Sequence, residues 1–301
     1  MADRSYLDWP FFEAHHRRFA AELGQFAAAK VATAGHDEDA DGAALGFVAL
    51  LGRAGTLAYT VPAPFGGAFE TLDVRTICLA REILAYHDGL ADFAFVMQGL
   101  GSGPITLFGT EAQKQAYLPA VALGERVAAL AMSEADAGSD VANMKTRAVA
   151  DGDHWVLNGE KTWISNGGIA DQYTVFAVTD PAAGPKGVSC FIVEAQDPGF
   201  AVTERIQVMA PHPLGTLRFQ DCRIPADRLI GEVGQGFRIA MSNLDIFRSS
   251  VGAAGLGFAR RALDEAWPGP GNGSCSARSW PNSRSRSRSS ATWRPRSTPR
   301  R

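Results

Sequence analysis

The feature that most constrains this chain is a change of hydrophobic period at Val127. Before it, apolar residues recur at three-to-four spacing, as on amphipathic helices. After it, short apolar or alternating runs sit between turn signals, as in strands. A helix-period pattern does not fit a pleated sheet, so the two stretches must fold as different layers and the fold class is α+β. Helical spacing returns after GEVGQGF at 231–237 and continues to 266. The predicted organisation is a helical domain over 1–126, a β domain over 127–232, and a helical segment over 233–266.

Within the first part, Phe11, Phe12, Phe19, Leu23, Phe26 and Ala27 predict a helix over 10–33, and 43–51 predicts a second. The acidic stretch HDEDADG at 36–42 reads as a loop, and YTVPAPFGG at 59–67 as a turn-rich connector. A long helical region from Thr71 is expected to break at His87-Asp88-Gly89 and again at GLGSGP, 99–104. The GLGSG string has no strand before it and no βαβ unit around it, so it is not read as a dinucleotide loop. Thr110 with Gln113 three residues on forms a capping box for a helix that ends near Gly124.

The second part predicts strands at 127–133, 144–151, 154–158, 161–166, 173–179, 188–194, 199–208 and 215–223. Asp151-Gly152-Asp153, Asn158-Gly159 and Asp197-Pro198-Gly199 are read as the turns between them. Seven or eight short strands in so little sequence imply a barrel or sandwich.

Composition narrows the partners. The net charge of −3 conceals two unlike parts, because residues 267–301 contain eight Arg and no Lys, Asp or Glu. Residues 1–266 therefore hold 21 basic and 32 acidic groups, a net of −11, with no basic footprint for nucleic acid. The four cysteines, Cys78, Cys190, Cys222 and Cys275, lack metal-site spacing and read as thiols in a reducing compartment. No histidine belongs to a ligand-spaced set, so no metal is assigned. The start of the chain does not read as a signal peptide, and no run is apolar for long enough to span a membrane. A cytoplasmic protein is expected.

Two motifs carry chemistry. The first is LAMSEADAGSD, 130–140, where an apolar strand breaks into a Ser/Asp/Gly turn. Small residues there let hydroxyls and backbone N–H groups approach a phosphate or a flavin's polar edge, although many such turns are only turns. The second is NGEKTWISNGG, 158–168, which sets an aromatic between polar residues. Together and in this order they resemble the acyl-CoA dehydrogenase family, and the likeness runs from about residue 10 to 266.

The resemblance implies a helical N-terminal domain, a middle β-barrel or sandwich domain and a C-terminal helical bundle, here mostly missing, with 233–266 as its first helix. It implies FAD as cofactor, contacted by Leu130, Met132, Ser133, Gly138, Ser139, Trp163, Ile164 and Ser165. It implies an acyl-CoA substrate contacted by Ser139, Asp245 and Arg248. The bland reading of the last two is an exposed i, i+3 pair. The implied reaction is dehydrogenation to the trans-2-enoyl-CoA, with electrons passed to an electron-transfer flavoprotein, in a homotetramer or dimer. Some family members carry the catalytic glutamate where this chain has Phe247. Others carry it late in the last domain, yet 267–301 holds no acid, so no base maps onto this sequence. Glu134, in the signature, has a structural role in the family.

The Ser/Arg/Pro stretch 267–301 has no periodicity and is expected to be disordered. Read as out-of-frame translation of the remaining domain, it would leave a chain without turnover. Read as a genuine tail, it would bind RNA or phosphates. Two other activities stay open: a non-catalytic flavin- or CoA-binding remnant, and a flavin oxidase or monooxygenase of the same fold.

Overall fold

The computed structural model describes residues 4–34 and 39–266. The 267–301 stretch, with Cys275, lies outside the described residues. Helices α1 (Ala14–Phe26), α2 (Ala40–Arg53), α3 (Val74–His87), α4 (Gly89–Phe108) and α5 (Glu111–Leu123) come first. The strands follow: β1 (Ala128–Ala131), β2 (Arg147–Asp151), β3 (His154–Ser165), β4 (Gln172–Val178), β5 (Val188–Glu194), β6 (Phe200–Arg205), β7 (Leu214–Pro225) and β8 (Leu229–Ile230). One helix, α6 (Gly236–Ala266), closes the described chain.

The helical part starts four residues later than its apolar spacing suggested, and its first helix passes into a π-turn at Ala27–Val31. Asp39, inside the stretch read as a loop, caps α2 by accepting from the Asp41 and Gly42 amides. The predicted break at Asp88 exists, and Asp88 caps α4 through the Leu90 and Ala91 amides. The predicted break at 99–104 does not, because α4 runs through it unbroken. The small residues there serve packing. A methyl on Gly101 would lie 2.7 Å from the Ala128 carbonyl carbon, and one on Gly103 would lie 1.9 Å from Asn243 Oδ1. Glycine costs helix stability, and here it admits β1 on one side and α6 on the other. The Thr110–Gln113 capping box is present as expected.

The strands form one eight-stranded sheet in the order β6-β7-β3-β2-β4-β5-β8, with β1 pairing in parallel with β4. Asn158-Gly159 is not a hairpin turn. β3 continues through it, and the irregularity belongs to β7, which carries an extra residue opposite Leu157 and Gly159. Asp221, at φ +48°, marks that bulge, and its amide and carboxylate pair with the Asn158 side chain. β4 and β5 are buried along nearly their whole length.

α4 is the beam on which both layers rest. Thr174 Oγ1 of β4 donates to the Gly101 carbonyl at 2.6 Å, and Gln98 holds both the Ala128 amide and the Arg126 carbonyl. Asn243 of α6 donates to the Leu100 carbonyl at 2.9 Å. A buried ion pair, Arg81 to Asp92, is made by two 2.8 Å hydrogen bonds, and Arg81 also donates to Ser250, so that α3, α4 and α6 share one joint. Among the described residues no helix is long and apolar enough to cross a membrane.

Candidate functional site

β3 places its residues by alternation and then by breaking it. Leu157 is buried, Gly159 half-buried and Lys161 fully buried, all in one phase of the pleat. Continued, that phase would turn Trp163 inward. Instead Lys161 pairs with Leu217 and Ile164 with Gly215, so β3 holds one residue more than β7 across this interval. The bulge moves the inward phase to Ile164, which is 2% exposed, and turns Trp163 outward at 59% exposure. Trp163 takes φ +60°, a left-handed backbone that costs a bulky residue on the order of 1–3 kcal/mol.

The turn after β1 lies alongside. The Thr162 amide donates to the Ser133 carbonyl at 3.0 Å, and Asn166 Nδ2 donates to the Ala128 carbonyl at 2.9 Å. The Thr216 hydroxyl donates to Glu204, so its partner Thr162 Oγ1, 2.9 Å away, supplies the hydrogen between the two threonines. Glu134 and Ala137 exchange backbone hydrogen bonds and close a tight turn.

Beneath the turn sits an ion pair that the motif reading did not anticipate. Lys161 Nζ, fully buried, donates to Glu134 Oε1 at 2.8 Å and to the Met132 carbonyl at 3.0 Å. The Glu134 carboxylate also accepts the Lys145 and Thr146 amides at 2.6 and 3.0 Å. Burial pushes the Lys161 ammonium down to about 8, against the pull of Glu134. Burial acts to raise the Glu134 carboxyl, but the Lys161 charge and these hydrogen bonds outweigh it and hold it below its usual range. A carboxylate so engaged is no proton acceptor, in keeping with a structural role. The signal was legible: Lys161 lies two steps in phase with a buried leucine, an inward position on β3.

The flavin residues expected from the motifs separate into two groups. Leu130, Met132 and Ser133 are half-buried at the end of β1, and Ser165 is half-buried on β3 beside exposed Trp163. Ser133, Ser139 and Ser165 make no side-chain hydrogen bond to another described residue, so their hydroxyls remain available. Gly138 and Ser139 are exposed, and a methyl on Gly138 would meet nothing within 4 Å. The Ile164 side chain lies in the core, so a ligand contact there would fall on its backbone.

On α6, Asp245 and Arg248 form the exposed i, i+3 pair at 3.4 Å. Phe247 is buried, and a methyl on Gly99 of α4 would lie 2.9 Å from its ring. A separate cavity of about 620 Å³ opens at the start of α4, lined by Arg81, Asp92, Phe93, His212 and Phe258. None of its lining residues belongs to the turn or to the end of β3.

His15, His16 and Asp73 also come within ligand distance of one another, which their sequence spacing did not show. His16 Nδ1 accepts the Glu13 amide, so Nε2 carries the hydrogen given to Asp73 at 2.7 Å. That nitrogen offers no lone pair to a cation, and the trio is a clasp between α1 and α3. Cys190 and Cys222 are buried free thiols, and Cys78 is half-buried.

The comparisons agree with these elements. The profile described as "Acyl-CoA dehydrogenase, N-terminal domain" matches residues 13–125, and "Acyl-CoA dehydrogenase, middle domain" matches 129–222. The probable acyl-CoA dehydrogenase FadE25 of Mycobacterium tuberculosis is 44% identical over 218 residues, which are 72% of this chain and 56% of that protein. The chain thus spans about half the length of the curated relatives it matches. The structure of butyryl-CoA dehydrogenase from Megasphaera elsdenii is 33% identical with a TM-score of 0.76, covering 85% of this chain and 68% of that one. A prolyl acyl carrier protein oxidase, AnaB, is 29% identical with a TM-score of 0.73, over 85% and 68% of the two chains. With both profiles matched in chain order and a relative's structure covered over two thirds of its length, the chain belongs to the acyl-CoA dehydrogenase family.

Proposed function

We propose that the turn after β1 and the end of β3 form a cradle for the isoalloxazine of FAD, and that the site is that of an acyl-CoA dehydrogenase. The observation that carries the reading is an exposed indole, turned outward on strained backbone, on the strand that carries Ser165 and next to Thr162, whose amide holds the Ser133 carbonyl; neither serine hydroxyl makes a hydrogen bond within the described protein. A structural tryptophan would be expected to pack its ring inward, and structural serines to cap or bridge. The donor set suits a flavin, with apolar surface for the ring and neutral donors for its polar edge.

When bound, FAD supplies the two-electron acceptor for a hydride leaving the β-carbon of an acyl thioester. The chain's own part is to hold and shield. Trp163 covers apolar surface and keeps water away, Ser133 and Ser165 donate hydroxyls, and Ser139 lies at the open edge of the turn. Asp245 and Arg248 offer one acceptor and one cation on α6 to the polar arm of coenzyme A. The product would be the trans-2-enoyl-CoA, with electrons passed on to an electron-transfer flavoprotein. Neither Phe247, an apolar residue in a helix interface, nor Glu134, held by Lys161, can take the α-proton. That observation favours a second reading of the described region, binding without turnover.

One experiment separates them. The purified chain, loaded with FAD, is mixed without oxygen with straight-chain acyl-CoA thioesters of increasing length. Bleaching of the flavin's visible band supports dehydrogenation. A band that shifts without bleaching supports binding alone. A chain that takes up no FAD overturns both.

A further inference from the structure

Burying an ion pair is a poor way to gain stability, since well-packed apolar residues of similar volume serve as well or better. The pair between Lys161 and Glu134 therefore calls for another reason. All three ammonium hydrogens have an acceptor: the Met132 carbonyl at 3.0 Å, Glu134 Oε1 at 2.8 Å and Met144 Sδ at 3.6 Å. Glu134 carries the connection on to the Lys145 and Thr146 amides. The next residue along β3, Thr162, holds the Ser133 carbonyl through its amide and Thr216 through its hydroxyl. The Lys145 ammonium does not compete, being turned outward to Asp136 at 2.7 Å. One buried cation thus joins the two segments whose exposed groups form the cradle, and it lies behind them, out of a ligand's reach.

We infer that Lys161 is a positioning residue for the cofactor: its ammonium fixes residues 132–134 against the end of β3, so that both halves of the cradle meet FAD in one geometry. The inference rests on the FAD reading above and adds to it a residue that touches no ligand. Its consequence is that FAD affinity and fold stability separate. Replacing both partners with neutral residues of similar shape, Glu134→Gln together with Lys161→Met, removes the charges as a pair. The fold then keeps its stability while the turn loses its fixed register.

The test compares the wild-type chain and this double variant by thermal unfolding and by FAD titration at neutral pH. The expected result is an unfolding midpoint close to that of wild type, with FAD dissociation at least tenfold weaker and the bound flavin's visible fine structure lost. A purely structural pair would leave affinity and spectrum unchanged in a stable double variant, and that result overturns the inference alone. If the double variant does not fold, amide exchange in the wild-type chain decides. FAD should slow exchange at Lys145, Thr146 and Thr162, and unchanged rates there overturn the proposal. A wild-type chain that binds no FAD overturns the functional reading, and this inference with it.

Discussion

Lys161 and Glu134 lie 27 residues apart in sequence and 2.8 Å apart in space, in an ion pair from which solvent is nearly excluded. Removing one partner leaves the other charge buried without a counter-charge. Lys161→Met alone should therefore cost about 3–5 kcal/mol of stability. Urea denaturation measures it, and a loss below about 1 kcal/mol would contradict the burial described.

The same pair fixes a sign in the pH dependence. Burial holds Lys161 near 8, against its ordinary 10.5, so over that window the unfolded chain binds more protons than the native one. This group then makes stability rise with pH between about 8 and 10.5. Burial pushes the Cys190 and Cys222 thiols up, which acts in the opposite sense, so the quantity to measure is wild type minus Lys161→Met. That difference should grow from pH 8 to 10.5. On the acid side, Glu134 lies below its ordinary 4.5, and its contribution is present above that value and lost as pH falls through the lower one.

Trp163 should show a conflict between stability and binding. Its left-handed backbone suits asparagine better than tryptophan, and its exposed ring contributes little to the core. Trp163→Asn should raise the stability of the FAD-free chain by up to about 1 kcal/mol and weaken FAD binding at least tenfold. Thermal unfolding of the FAD-free protein and a fluorescence titration give the two numbers. Loss of stability together with intact affinity would mean that the ring packs rather than binds.

The glycines of α4 and α6 should respond oppositely to one methyl group. Gly101→Ala drives a Cβ to 2.7 Å from the β1 backbone, which cannot give way as a flexible side chain could. It should cost about 1–3 kcal/mol. Gly255→Ala on α6 meets nothing within 4 Å and should gain up to about 1 kcal/mol from helix propensity. Equal effects at the two sites would contradict the close approach of α4 to β1.

What could be read in the sequence follows from what local chemistry decides. The change of period at Val127 marked the passage from helices to strands, and the Thr110 capping box needed only neighbours in sequence to recognise. The misreadings that bear on the site involve partners far along the chain. Gly99 to Gly103 looks like a breaker until β1 and α6 are seen packed against it. Asn158-Gly159 looks like a turn until Asp221 on β7 is seen absorbing the irregularity. The bulge that turns Trp163 outward depends on the register with Thr216, which no local pattern encodes. Lys161 is the intermediate case: alternation pointed it inward, but only the return of the Glu134 turn explains why a charge is tolerated there.

The most direct measurement is the equilibrium binding of FAD to the 301-residue chain, followed by flavin fluorescence and repeated with Trp163→Asn. Saturable binding of one FAD per chain is expected for the wild type, with affinity at least tenfold weaker in the variant. A chain that binds no FAD, or one that binds it equally well without the indole, would contradict the cradle formed by the β1 turn and the end of β3.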